Sequence, residues 1–223
     1  MAAVALVGRT GDVLAGAGDA RGLLTRAERD RAAALRSAAD RDDFVAAHAL
    51  VRLCAAELLG LPARSLTVVQ SCGRCERPHG RPALAGFADV GLSLAHTRGW
   101  VAAAAAHGPV GIDIEADDGG DEPDPALVER ACGPGERAEL RDAPDPRRTF
   151  LRQWVRKESL VKVGAASLDE PGRTDVPVRG GSPARRCGWW LTDWWAPGAV
   201  ACVAAREQVQ PRTVSVGAHG PFR

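Results

Sequence analysis

The sequence predicts an α/β (α+β) protein built as a pseudo-twofold repeat of two similar subdomains, 1–108 and 109–223. Three observations carry this expectation. Each half runs from a short apolar segment through helical patterns to strands. Two Ala-rich segments, WVAAAAAHG (100–108) and GAVACVAA (198–205), resemble each other in position and composition. The 223 residues are enough for one large core or two small ones.

The elements follow in order. AVALVG (3–8) predicts a first strand. LTRAERDRAAALRS (24–37) predicts a helix, with Thr25 as N-cap and Glu28 three residues on, a capping box. DDFVAAHALVRLCAAELLG (42–60) predicts a second helix stopped by Gly60 and Pro62. SLTVVQS (65–71) predicts a short strand, and 72–82 a Gly/Pro/Cys loop. ADVGLSLAH (88–96) and WVAAAAAHG predict two strands joined by a Thr-Arg-Gly turn. PVGIDIE (109–115) predicts another strand, and the acidic, Gly/Pro-rich 116–125 a loop. Helices are expected over 125–132, 134–141 and 147–163, with irregular structure over 165–186. GWWLTDWW (188–195) and GAVACVAA predict a closing hairpin, whose four tryptophans read as core and hairpin packing.

Composition narrows the function. Lysines plus arginines number 29 and acids 28, a net charge of +1, which excludes a nucleic-acid binder driven by bulk charge. No apolar run is long enough to span a membrane. The opening MAAVALVGRT lacks a charged segment before its apolar residues, so no secretory signal is expected. The six cysteines are irregularly spaced and read as reduced thiols of a cytoplasmic protein. Cys72-x-x-Cys75 with His79 is half a zinc site, without an evident fourth ligand nearby.

Two motifs carry chemistry. In VGIDIE the strand period of two puts Val110, Ile112 and Ile114 on one face and Gly111, Asp113 and Glu115 on the other. The two carboxylates then project side by side, about 7 Å apart at the backbone. They suit Mg²⁺ shared with a phosphate, or they belong to a solvated strand end. WVRKESLVK (154–162) is the second motif. At roughly 100° per residue, Phe150, Leu151, Trp154, Val155 and Val161 share an apolar arc. Glu158 and Lys162 fall inside it, whereas Arg152, Gln153, Arg156 and Ser159 fall outside. A charged pair on a core face either neutralises itself at i,i+4 or faces a metal–phosphate site. Arg81 in HGRP and His96 in LSLAHT are, by themselves, ordinary surface and structural residues.

Taken together and in this order, HGRPAL, LSLAHT, VGIDIE and WVRKESLVKVG resemble the successive motifs of the 4′-phosphopantetheinyl transferase family, most closely its surfactin-type branch. The resemblance runs from LTRAERDR near residue 24 to GAVACVAA near 205. It implies that family's fold: a monomer with internal pseudo-twofold symmetry and coenzyme A between its halves. It also implies the reaction. The phosphopantetheine arm of coenzyme A passes to a serine of an apo acyl, peptidyl or polyketide carrier protein, and adenosine 3′,5′-bisphosphate leaves. By this resemblance Asp113, Glu115 and Glu158 are Mg²⁺ ligands. Glu158, directly or through a metal-bound water, is the base. Lys162 stabilises the leaving phosphate, and Arg31, Arg81 and His96 contact coenzyme A phosphates.

The chain departs from the family pattern at two places. Ala95 stands where a serine commonly precedes the histidine, and Asp43 where a basic residue commonly opens the second helix. Arg41 is the expected substitute for the latter, or a phosphate contact is lost. Two readings of other classes stay open at this point. One is a catalytically silent module that binds carrier proteins or a nucleotide; the other is a zinc-binding interaction protein.

Overall fold

The computed structural model describes residues 3–70, 80–167 and 169–215. Strand β1 (Ala3–Arg9) opens the chain and is buried over 4–8. Helices α1 (Thr10–Ala17), α2 (Ala20–Leu23), α3 (Arg26–Ala34) and α4 (Ala38–Leu59) follow. The first two lie outside the sequence expectation. Their Gly-rich segment has little helical propensity, and burial of Val13 and Ala20 against α4 holds them. α3 begins as expected. The Thr25 hydroxyl accepts from the Glu28 amide at 3.3 Å, and the Glu28 carboxylate accepts from the Thr25 amide at 2.7 Å. α4 stops at Gly60, whose φ of 66° is left-handed.

Next come β2 (Val68–Gln70), β3 (Pro82–Leu84), β4 (Val90–Thr97) and β5 (Trp100–His107). β2 is shorter than expected because 63–65 forms a 3₁₀ turn, and β3, absent from the sequence expectation, starts at the last residue of the expected loop. Cys72, Cys75 and His79 lie outside the described residues. β4 and β5 form the expected hairpin, with Thr97 opposite Trp100 across Arg98 and Gly99. The second half holds β6 (Gly111–Ala116), α5 (Pro125–Ala131), α6 (Pro134–Arg141), α7 (Pro146–Lys162), β7 (Ala184–Arg186), β8 (Trp189–Ala196), β9 (Ala199–Ala205) and β10 (Arg212–Thr213). β7 interrupts the stretch expected to be irregular. β10 lies outside the sequence expectation, and it pairs in parallel with β1 across most of the chain.

Two sheets result, ordered β10-β1-β5-β4-β3-β2 and β6-β9-β8-β7. β1 pairs antiparallel with β5, and β6 with β9. The Ala-rich strands are explained by what lies on each side of them. In β5, Val101, Ala103 and Ala105 face α4, while Ala102, Ala104 and Ala106 face the other sheet. In β9, Ala201, Val203 and Ala205 meet that sheet, while Val200, Cys202 and Ala204 face α7. The layers are therefore helix, sheet, sheet, helix, and small side chains let the two sheets lie close. The unpaired edge of β6 is covered by β4, whose Ser93 hydroxyl accepts from the Ile112 amide at 2.9 Å. Of the tryptophans, Trp189 and Trp194 are buried as expected, but Trp195 is 62% exposed, with the Arg148 guanidinium 4.6 Å from its ring. Among the described residues no helix is long and apolar enough to cross a membrane.

Candidate active site

The site starts from how α7 is held. The wheel placed Gln153, Arg156 and Ser159 away from the core, and the structure corrects this: all three are buried, together with Lys157. Each has a distant polar partner. Arg156 makes a two-pronged bond to Asp193 on β8, with both contacts at 2.8 Å, and also reaches the carbonyls of Pro177 and Gly181. Lys157 pairs with Glu136 of α6 at 2.6 Å, and Gln153 donates to Glu139 at 2.9 Å. The Ser159 hydroxyl lies 2.7 Å from the Cys202 carbonyl of β9. Polar residues thus anchor the helix on several sides. The arc bearing Trp154, Glu158 and Lys162 is left only half-buried.

That arc lies over β6. A side chain at Gly111 would sit 2.2 Å from the Ser159 carbonyl oxygen, so glycine lets the helix rest directly on the strand. Val110, Ile112 and Ile114 face the inter-sheet core as expected, and Asp113 lies on the opposite face with Gly111. The Lys162 ammonium donates to Asp113 Oδ1 and to the Ile112 carbonyl, both at 2.8 Å, and reaches the Leu94 carbonyl of β4 at 3.4 Å. Asp113 Oδ2 is buried without a hydrogen-bond partner.

The electrostatics bind the four groups together. Burial pushes the Asp113 carboxyl up, and Lys162 opposes this. Burial, then the neighbouring charge of Asp113, raises Glu115 to about 7; a hydrogen bond from the Trp154 indole opposes the rise, while Glu158 adds to it. Glu158 is raised by burial and by Asp113, and lowered by Lys162. Three carboxylates that repel one another around one ammonium are costly unless a cation serves them. Among the described residues, no group of three or more His, Cys, Asp or Glu side chains stands close enough to hold a metal ion as placed. The donor chemistry nevertheless fits a hard divalent cation: all three are carboxylates, and one buried oxygen has no partner.

The expected phosphate contacts lie on the first half of the chain. The Arg81 guanidinium donates to the Val161 carbonyl at 3.3 Å, beside Lys162 at the end of α7. Arg31 donates to the Gln70 side chain at 2.7 Å, and Gln70 in turn donates to the Gly80 carbonyl at 3.0 Å. A polar chain therefore links Arg31, Arg81 and α7, although Arg31 itself lines a cavity of about 280 Å³ with Thr25, Glu28 and Val69. His96 is exposed near the end of β4. Desolvation holds its imidazole below the usual value against the pull of Asp43, and Lys162 adds to the depression.

The two departures have structural explanations. Asp43 is buried, accepts from the Thr10 hydroxyl and from the Gly99 amide, and so ties the β1–α1 junction to the β4–β5 turn. Arg41 stands two residues before Asp43 on α4. Its guanidinium donates to the carbonyls of Leu35 and Arg36 beyond α3. Ala95 faces the inter-sheet core, where a small side chain is needed. Sequence reasoning missed Ser93 and the bond from Trp154 to Glu115. The serine two residues before Ala95, and an indole four residues before Glu158, were the available signals.

No curated protein matches the chain. Residues 109–179, about a third of the chain, match the model of the 4′-phosphopantetheinyl transferase superfamily. That segment carries Asp113, Glu115, Glu158 and Lys162, and the match supports this family, a transferase, and phosphopantetheinyl transfer in general.

Proposed function

We propose that this chain moves the 4′-phosphopantetheine arm of coenzyme A onto a serine hydroxyl of apo acyl, peptidyl or polyketide carrier proteins. Mg²⁺ is required, and adenosine 3′,5′-bisphosphate is released. The observation that carries this reading is the gathering of Asp113, Glu115 and Glu158 about Lys162 where α7 rests on β6. The shared strand order, β1-β5-β4-β3 against β6-β9-β8-β7, supports a pseudo-twofold arrangement with its boundary near residue 108. Coenzyme A would lie between the halves, bridging Arg31, Arg81 and His96 to the carboxylates. The enzyme acts as a cytoplasmic monomer of the surfactin type.

Asp113, Glu115 and Glu158 would hold the cation, which supplies charge neutralisation for the pyrophosphate. Glu158 is half-buried with a raised carboxyl, so it is suited to take the proton of the incoming serine hydroxyl. Lys162 neutralises the departing phosphate and can return a proton to it. Arg81 and His96 orient the phosphates so that the hydroxyl attacks in line. Incubation with coenzyme A, Mg²⁺ and several apo carrier proteins, read by intact-mass spectrometry, tests the reading. A phosphopantetheine-sized mass gain is expected. Tight coenzyme A binding with no gain on any carrier would favour a silent binding module.

A further inference from the structure

The position of Lys162 suggests a second role, which rests on the metal assignment above. The ammonium is fully engaged at one point between the two sheets, with carbonyl oxygens of β4 and β6 and a carboxylate oxygen of Asp113 as acceptors. Its field reaches all three carboxylates of the cluster. We propose that Lys162 is the resident counter-ion of these carboxylates, competing with a divalent cation for them and so coupling cation binding to arrival of the coenzyme A pyrophosphate.

A cation that binds while Lys162 stays on Asp113 must accept an ammonium beside it, which weakens binding. A pyrophosphate draws the ammonium to its own oxygens and leaves Asp113 to the cation. Its remaining oxygen, Oδ2, already lacks a partner. Cation and coenzyme A then strengthen each other's binding through Lys162, and by linkage the effect is reciprocal.

The test counts free Mn²⁺ by electron paramagnetic resonance in titrations with and without coenzyme A. Lys162→Met should bind Mn²⁺ alone more tightly than the natural protein, by on the order of tenfold for one lost ion pair. Coenzyme A should then tighten Mn²⁺ less in this variant than in the natural protein. Lys162→Gln keeps a donor for the Ile112 and Leu94 carbonyls, so it reads the same charge effect if the methionine variant folds poorly. Lys162→Arg keeps the charge and should retain natural Mn²⁺ affinity. If the neutral variants bind Mn²⁺ with coenzyme A but no more tightly alone than the natural protein, the counter-ion role is overturned. If no form binds Mn²⁺ with or without coenzyme A, the metal assignment itself fails.

Discussion

Two acids, Glu28 buried and Glu115 half-buried, show how surroundings decide the use of a carboxylate. Glu28 accepts from the Thr25 amide and hydroxyl, from His48 Nδ1 at 2.8 Å and from Arg52 at 2.7 Å. Burial alone would raise its carboxyl, but the bonds to His48 and Arg52 outweigh it and hold it at about 2. His48 is pushed down by burial, so it is neutral and donates from Nδ1. Glu28 is thus a structural hub joining α3 to α4. Its stabilisation is complete above its ordinary value of 4.5 and is lost as pH falls toward about 2. Glu28→Gln should cost about 3–5 kcal/mol in urea unfolding at neutral pH, and less as the medium is acidified. Glu115 has the opposite sign. Its carboxyl is raised to about 7, so the folded chain holds a proton that the unfolded chain gives up above 4.5. Without divalent salts, stability should therefore fall between those values as pH rises, and Glu115→Gln should flatten that slope in thermal melts.

At the scale of the element, α7 is the part of the structure that the sequence described least well. Asp113 and Glu115 were legible because a strand alternates strictly, and hydrophobic Val110, Ile112 and Ile114 fixed which face was which. The wheel for α7 also brought Glu158 and Lys162 to one arc. It failed on Gln153, Arg156 and Ser159 because it equates polar with exposed. Their burial depends on partners far along the chain, such as Asp193, which lies 37 residues beyond Arg156. No local pattern encodes such a partner. Two expectations follow from this anchoring. Asp193→Ala would leave Arg156 buried and uncompensated, and should lower unfolding stability by about 3–5 kcal/mol. Gly111→Ala should push α7 off β6, because the obstacle at 2.2 Å is backbone and cannot swing aside. The cost should be about 1–3 kcal/mol of stability, with a loss of turnover larger than that destabilisation explains.

Across the whole molecule, the site exists because two sheets meet. Alanines on β5 and β9 let the sheets approach, Ser93 closes the edge of β6, and Lys162 reaches oxygen atoms of both β4 and β6. Arg31, Arg81 and His96 come from one side of this junction, and the carboxylates with Lys162 from the other. The Ala-rich strands were visible in the sequence, but the close sheet-on-sheet contact that requires them was not, because only assembly shows what each face meets. Asp113 stands at the centre of the proposed site, and its most direct test is the release of adenosine 3′,5′-bisphosphate from coenzyme A with an apo carrier protein over a Mg²⁺ titration. The natural protein should release one nucleotide per carrier modified, with a rate that depends on Mg²⁺. Asp113→Asn should be slower by about a hundredfold or more at saturating carrier while retaining its folded circular dichroism spectrum. A folded Asp113→Asn protein that matches the natural rate and Mg²⁺ dependence would contradict the account.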